Sequence, residues 1–396
     1  MRPSIITVAL IYLTGLLQGL TLVSFPASSA VLRGMHGLSD AQYGLIFLPQ
    51  VVFAVIGAVG GGVLSQRLGL QRLLWLALLI NGLSQLALAS LQWLPDGAAL
   101  PMLLIATACL GLGFGLFGAP MNAYPPTYFP NQASTAVVVM HTLLGIGLMI
   151  GPLFEGALAA AGNWVTFPLA LVAISVALAL AAAMLPLGEG GLQRGVSSAV
   201  AKGPAPVAVP AFWLFAVVAV LYAFAEGTFS NWAVVYLQEG KHLPATVAAA
   251  GLSVFWGFLV GGRLLVSVLV LRVPAKFIWL VLPLLMIAAF LLLPQADTAV
   301  RGIALFGFAG LACSAFFPLS IALVSERFPQ HVAWVSAMLI AALNVGTGLG
   351  SFAIGALRSL LPFEPLYQWS ALYPAAVLLL ALLLARSGGL RTERPV

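Results

Sequence analysis

The sequence predicts an all-α membrane protein of twelve transmembrane helices in two pseudo-symmetric six-helix bundles, and three observations carry that prediction. Charge is scarce: Asp, Glu, Lys and Arg make up 7% of the 396 residues, and mean hydropathy is +1.10. The charges are also unevenly placed, with 58 consecutive positions free of them between Asp96 and Glu155 and 33 more between Glu155 and Glu189. A water-soluble chain of this length must cover itself with polar groups, and too few exist here. The third observation is an internal repeat. A shift of 199 positions places Gly111 on Gly310, Phe129-Pro130 on Phe328-Pro329, Gly147 on Gly346, Gly151 on Gly350 and Gly156 on Gly355.

Each helix follows from counting apolar windows, since a spanning helix needs about 20 mostly apolar residues. Six such windows fall at 4–32, 41–64, 73–94, 102–124, 137–160 and 165–187. Six more fall at 211–237, 246–270, 277–294, 302–324, 333–357 and 366–385. Between the two sets, Gly188 to Pro210 carries Glu189, Arg194 and Lys202 among Gly, Ser and Pro, the composition of a linker. The expected domains are therefore an N-terminal bundle over 1–187, a cytoplasmic linker over 188–210 and a C-terminal bundle over 211–396. The first apolar run is too long for a signal-peptide core and lacks a cleavage site, so it is expected to stay as helix one.

The net charge of +6 follows topology rather than forming a basic stripe, which argues against a nucleic-acid partner. With the N-terminus inside, eleven cations fall on cytoplasmic segments: Arg2, Arg67, Arg72, Arg194, Lys202, Arg272, Lys276, Arg327, Arg386, Arg391 and Arg394. Four fall outside: Arg33, Lys241, Arg301 and Arg358. This bias predicts both termini in the cytoplasm of a multi-pass protein of the plasma (bacterial inner) membrane. Cys109 and Cys313 form no metal-binding or redox spacing, and the expectation is no metal and no cofactor. No GxxxxGK[ST] loop and no nucleophile–base set exists, so neither ATP drive nor an enzyme is expected.

The segment after helix two reads Gly62-Val-Leu-Ser-Gln66-Arg67-Leu-Gly69-Leu-Gln-Arg72, expected as a loop. It resembles the signature of the major facilitator superfamily, with Gln66 where an acid is usual. A weaker copy follows helix eight, from Ser267 through Arg272 to Lys276. The resemblance implies a major facilitator fold, with helices one, four, seven and ten around a central cavity. Parallel repeats of this kind suit a rocking transporter whose solute binds near midplane.

Two finer resemblances meet in the chain. Gly113 through Asn122-Ala, Tyr128-Phe-Pro, His141 through Gly147, Tyr222 through Glu226 to Asn231-Trp232, and Gly262-Arg263 resemble the fucose permease-like family of sugar–proton symporters. The family's acids of helices one and four have no counterpart here; Leu22 stands where the first falls. Gly147-x-x-x-Gly151-Pro152-x-x-Glu155-Gly156 in helix five is similar to the antiporter motif of proton-coupled drug exporters. Its glycines permit close helix approach and its proline a bend, the makings of a gate.

Polar residues inside the spans are the candidate site. Glu226 lies halfway along helix seven, with Tyr222 and Ser230 on the same face, and an acid at midplane is functional by default. Glu155, near the outer end of helix five where partial hydration is cheap, and His141 are the other proton-coupling candidates, each with a structural role as competitor. Arg263 pairs with a carboxylate or an anionic solute, or acts as a structural partner at the inner leaflet. Gln18, Asn122, Tyr222, Glu226, Asn231, Trp232, Trp256 and Asn344 are the substrate-binding candidates, preferred over Asn81 and Gln85 on helix three. Gly62, Gln66, Arg67, Gly69, Gly147, Gly151, Pro152, Arg263 and Arg272 are the gating or structural set. The combined expectation is a monomeric secondary transporter of a small solute, a sugar or other polar metabolite, coupled to protons. The alternative is a proton-coupled exporter of amphipathic compounds.

Overall fold

A computed structural model describes residues 4–188 and 205–386, apart from the side chains of Ser134 and Ala333. Glu189, Arg194 and Lys202 of the expected linker lie outside the described residues, as do Arg2, Arg391 and Arg394. Among the described residues, twelve helices long and apolar enough to cross a membrane form where the apolar windows fall. They are α1 (Ile5–Ala27), α2 (Asp40–Leu68), α3 (Leu70–Trp93), α4 (Asp96–Tyr128), α5 (Thr135–Ala160) and α6 (Thr166–Met184). The second set is α7 (Pro210–Asn231), α8 (Ala245–Leu269), α9 (Ala275–Gln295), α10 (Ala299–Arg327), α11 (Trp334–Arg358) and α12 (Phe363–Arg386). Val59, Phe154, Leu180, Leu265 and Leu379 each stand more than half exposed, as side chains solvated by lipid tails do.

The chain divides into two compact units, Met1–Ser197 and Ser198–Val396. In the first, α1 packs along α5, α2 along α4 and α3 along α6; in the second the same partners recur as α7 with α11, α8 with α10 and α9 with α12. The repeated glycines explain why. A Cβ on Gly111 would fall 2.7 Å from the Gln50 carbonyl carbon, and one on Gly310 2.8 Å from that of Phe255. Gly147 meets the backbone of Leu16 and Gly19 on α1, and Gly346 meets that of Val220 on α7. The four glycines share no chemistry; they let two backbones touch, which in lipid is what fixes one helix against another.

Three expected elements differ in detail. Helix one does not run to residue 32: it stops at Ala27, and a short helix, Ser29–His36, follows a break at Ser28. Pro26 lies in its last turn, and the Ser24 and Ser29 hydroxyls donate to the Thr21 and Pro26 carbonyls, competing with the backbone ladder. The segment from Gly62 to Arg72 is not a loop. Residues through Leu68 stay helical, and Gly69 alone turns the chain, at φ +81° and ψ 157°, a conformation essentially reserved for glycine. Helix ten is interrupted at Ser314 and Ala315, between helical stretches Ala299–Cys313 and Phe316–Arg327.

Each unit also ties its first loop to its third through a basic side chain and an aspartate. His36 Nδ1 lies 3.0 Å from Asp96 Oδ1, with Nε2 3.1 Å from the Leu91 carbonyl. Lys241 Nζ donates to Asp297 Oδ1 at 2.9 Å, to Glu364 Oε1 and to the Pro294 carbonyl. Burial opposes the Lys241 charge, but its bonds to Glu364 and Asp297 outweigh that and raise its pKa above the ordinary lysine value.

Candidate functional site

The break in α10 organises the second unit. Where the ladder stops, the carbonyls of Cys313 and Ser314 have no helical N–H to accept from, and side chains of α7 and α8 bond to them instead. The Tyr222 hydroxyl on α7 reaches the Cys313 oxygen at 2.9 Å and also contacts Glu226 Oε2, one turn on. Its ring stacks on Phe316, the first residue after the break, at 5.1 Å between centroids. Phe316 in turn stacks on Trp279, whose indole N–H donates to Ser320 at 2.8 Å. Tyr222 is thereby held through its ring and at its hydroxyl.

This arrangement constrains protons. A phenol has one O–H, and the Cys313 carbonyl can only accept. If Glu226 is ionised, two acceptors compete for one proton. If Glu226 carries a proton, it donates to the Tyr222 oxygen and Tyr222 donates to Cys313, and every group in the row is satisfied. Arg263 completes the cluster from α8. Its Nε donates to the Ser314 carbonyl at 3.0 Å, the carbonyl next to the one Tyr222 holds, and among the described residues no ion pair joins it to Glu226. Gly262 makes this reach possible: a Cβ there would fall 2.6 Å from Ser314 Cβ, so α8 lies directly on the break.

The first unit builds a different polar row. Asn81 Nδ2 of α3 donates to Gln18 Oε1 of α1 at 2.7 Å, and Gln85 Nε2 points at the Thr21 carbonyl at 3.4 Å. Gln18 is therefore a buried bridge between α1 and α3 rather than a wall residue, 1% exposed, and a helix-three amide set below it on sequence grounds is its partner. Glu155 also departs from expectation. Instead of sitting in a hydrated outer end, it is 1% exposed and faces Ser28 at the break after α1, with Oε1 lacking a partner. The close α1–α5 crossing turns that face of helix five inward.

The other candidates separate into groups. Asn231 and Trp232 both bond to Ser351 of α11, through Nδ2 at 2.8 Å and through the indole N–H to its carbonyl at 3.2 Å. Trp232 is fully buried against Phe363, so packing accounts for it where a substrate-binding face was expected. Asn122 and His141 meet on exposed faces of α4 and α5, Oδ1 to Nε2 at 3.3 Å. Asn344 turns its amide to the Ile340 carbonyl at 2.9 Å. Trp256 keeps an enclosed indole N–H with no partner among the described residues. Gln66, Arg67 and Arg272 are exposed, and a Cβ added to Gly62 would meet nothing within 4 Å. Gly151 faces the Val23 side chain, where an added Cβ would fall 2.5 Å from Cγ1, so the tight backbone crossing is at Gly147. Pro152 lies within the continuous helix of α5. Sequence reasoning missed the Cys313 and Ser314 carbonyls, Thr21 and Ser28. The hydroxyl side chains carried a signal, and so did Pro318, which has no N–H for the Ser314 carbonyl four residues back.

The sequence profile of the Major Facilitator Superfamily matches residues 10–308. No curated protein matches the chain. Among solved structures, that of a point mutant of the nucleoside transporter NupG superposes with a TM-score of 0.79 at 15% identity, covering 95% of this chain and 99% of that one. A D-xylose–proton symporter gives 0.77 at 16% identity, covering 95% and 96%. A bacterial homologue of the human lysosomal transporter Spinster, inward-facing and occupied, gives 0.74 at 15% identity, covering 98% of each chain. At these identities the likeness is one of fold.

Proposed function

The chain belongs to the Major Facilitator Superfamily, a transporter family rather than an enzyme family, and on that premise we propose that it moves a small polar solute coupled to protons at Glu226. It works as a secondary active transporter of the plasma (bacterial inner) membrane, as a monomer, with both termini cytoplasmic. The observation that supports coupling is the row Glu226–Tyr222–Cys313, which is complete only when the acid holds a proton. A carboxyl at midplane that can lose and regain a proton is the elementary part of a proton-driven carrier. The named solutes of two similar folds, a nucleoside and D-xylose, support a polar solute, as does the fucose permease-like pattern around Asn122, His141 and Glu226.

The test is uptake into proteoliposomes from a panel of radiolabelled sugars, sugar acids and nucleosides under an imposed pH gradient. Glu226→Gln mimics the protonated side chain, so exchange of solute should persist while uphill accumulation disappears. Undiminished pH-driven accumulation in a stable Glu226→Gln protein removes the proton role. Reporters after Val396 and in the Asp96–Leu100 turn should read cytoplasmic and external, respectively.

A further inference from the structure

We propose that the transported solute carries a carboxylate, held by Arg263, and that its binding is linked to protonation of Glu226. This rests on Glu226 as the proton site and adds the charge class of the solute. The guanidinium is anchored on one side only. Nε is fixed on the Ser314 carbonyl at 3.0 Å, and neither terminal nitrogen has a partner among the described residues. The free edge is a planar pair of donors on an exposed side chain, the shape that takes a carboxylate through two parallel bonds. Trp256 lies seven residues earlier on the same face of α8, about two turns or ~10.5 Å away. Its half-buried ring offers an apolar wall for the remainder of the solute.

The linkage follows from the charges. The titratable and charged groups gathered around Glu226 are Tyr222 on its own helix, whose hydroxyl it touches, Cys313 on α10, whose carbonyl takes that hydroxyl, and Arg263 on α8, fixed on the next carbonyl. α11 meets this stretch of α7 through Thr347 and Ser351, and α12 through Tyr373. Arg263 is thus the cation that balances Glu226. With Glu226 ionised, an arriving carboxylate meets a cation already compensated and an anion that repels it. A proton on Glu226 leaves Arg263 uncompensated and completes the Tyr222 row, so proton and carboxylate favour each other's binding equally. One proton then travels with one carboxylate, and no covalent step is required.

The experiment uses purified full-length protein and matched pairs of solutes: glucose and gluconate, xylose and xylonate, glycerol and glycerate. Thermal stabilisation is titrated at about pH 6 and about pH 8. An acid should stabilise where its neutral partner does not, with affinity weakening up to about tenfold per pH unit once Glu226 ionises. Arg263→Gln should weaken the acid about a hundredfold, and Arg263→Lys, which keeps the charge but loses the fork, should fall between. The inference is overturned if no acid stabilises above its neutral partner, or if folded Arg263→Gln binds the acid as the wild type does. A pH-independent affinity that still needs Arg263 overturns the linkage. The acid–neutral comparison at one pH reads Arg263 alone, whereas uphill uptake in Glu226→Gln reads the proton role alone, so the two failures are distinguishable.

Discussion

Gly147→Ala probes the contact that holds α1 against α5. The added methyl would sit 2.8 Å from the Leu20 nitrogen and 3.0 Å from Gly19 Cα, and closer still to the Leu16 carbonyl. Ordinary van der Waals contact begins near 3.4 Å, and all three neighbours are backbone that no rotamer change can move aside. The two helices must therefore part by about 1 Å along their closest stretch, an overpacking that costs about 1–3 kcal/mol. Alanine gains up to about 1 kcal/mol in helix propensity over glycine, so a measured loss is a lower bound on the clash. Gly151→Ala is the matched comparison, because its methyl meets a single side-chain methyl, Val23 Cγ1, rather than backbone. Thermal unfolding in detergent, followed by circular dichroism, should place Gly147→Ala at least about 1 kcal/mol below Gly151→Ala. Gly346→Ala in the second unit should match Gly147→Ala, since its methyl would meet the Val220 carbonyl at 2.5 Å. A Gly147→Ala protein as stable as the wild type, beside a destabilised Gly151→Ala, would refute the packing argument.

Gly69→Ala places a side chain in a backbone conformation it rarely adopts, and should cost about 1–3 kcal/mol in the same assay although no atom crowds the site. Lys241→Met removes a cation that joins Asp297 and Glu364, and should lower stability by about 1–2 kcal/mol, modest because both acids are more than half exposed. Its folded pKa is raised, so the clamp's contribution is intact below the ordinary lysine value of 10.5 and lost only as pH rises through the folded value; wild type and Lys241→Met should converge there.

The spans were legible because bilayer thickness imposes a length, and about 20 uncharged apolar residues can be counted without knowing any contact. The repeat was legible for a related reason: the glycines that let backbones touch cannot be replaced without parting the helices, so Gly111, Gly147, Gly310 and Gly346 recur at one offset. Of the candidate site, Tyr222 with Glu226 could be read, since residues four apart on a helix face each other by geometry alone. Gln18 with Asn81 could not, because 63 positions separate them and nothing in either helix names its partner. Trp232 and Glu155 were misplaced for the same reason: hydropathy gives depth along a helix, whereas the neighbour decides which face is enclosed.

Twelve apolar spans, a second half that repeats the first, and one acid midway along the seventh span can all be read from the chain without a single contact. Those properties depend on composition, length and local periodicity. How that acid is surrounded became visible only once the helices were packed. The interruption of α10 at Ser314 and Ala315 has one mark in the sequence, Pro318, which offers no N–H to the Ser314 carbonyl four residues back; that Tyr222 and Arg263 fix on the two freed carbonyls is written nowhere in it. A hydrogen-bonding backbone inside a membrane must find partners, and where the helix fails to supply them, neighbouring helices do. That requirement is a property of three helices together, and no single segment contains it.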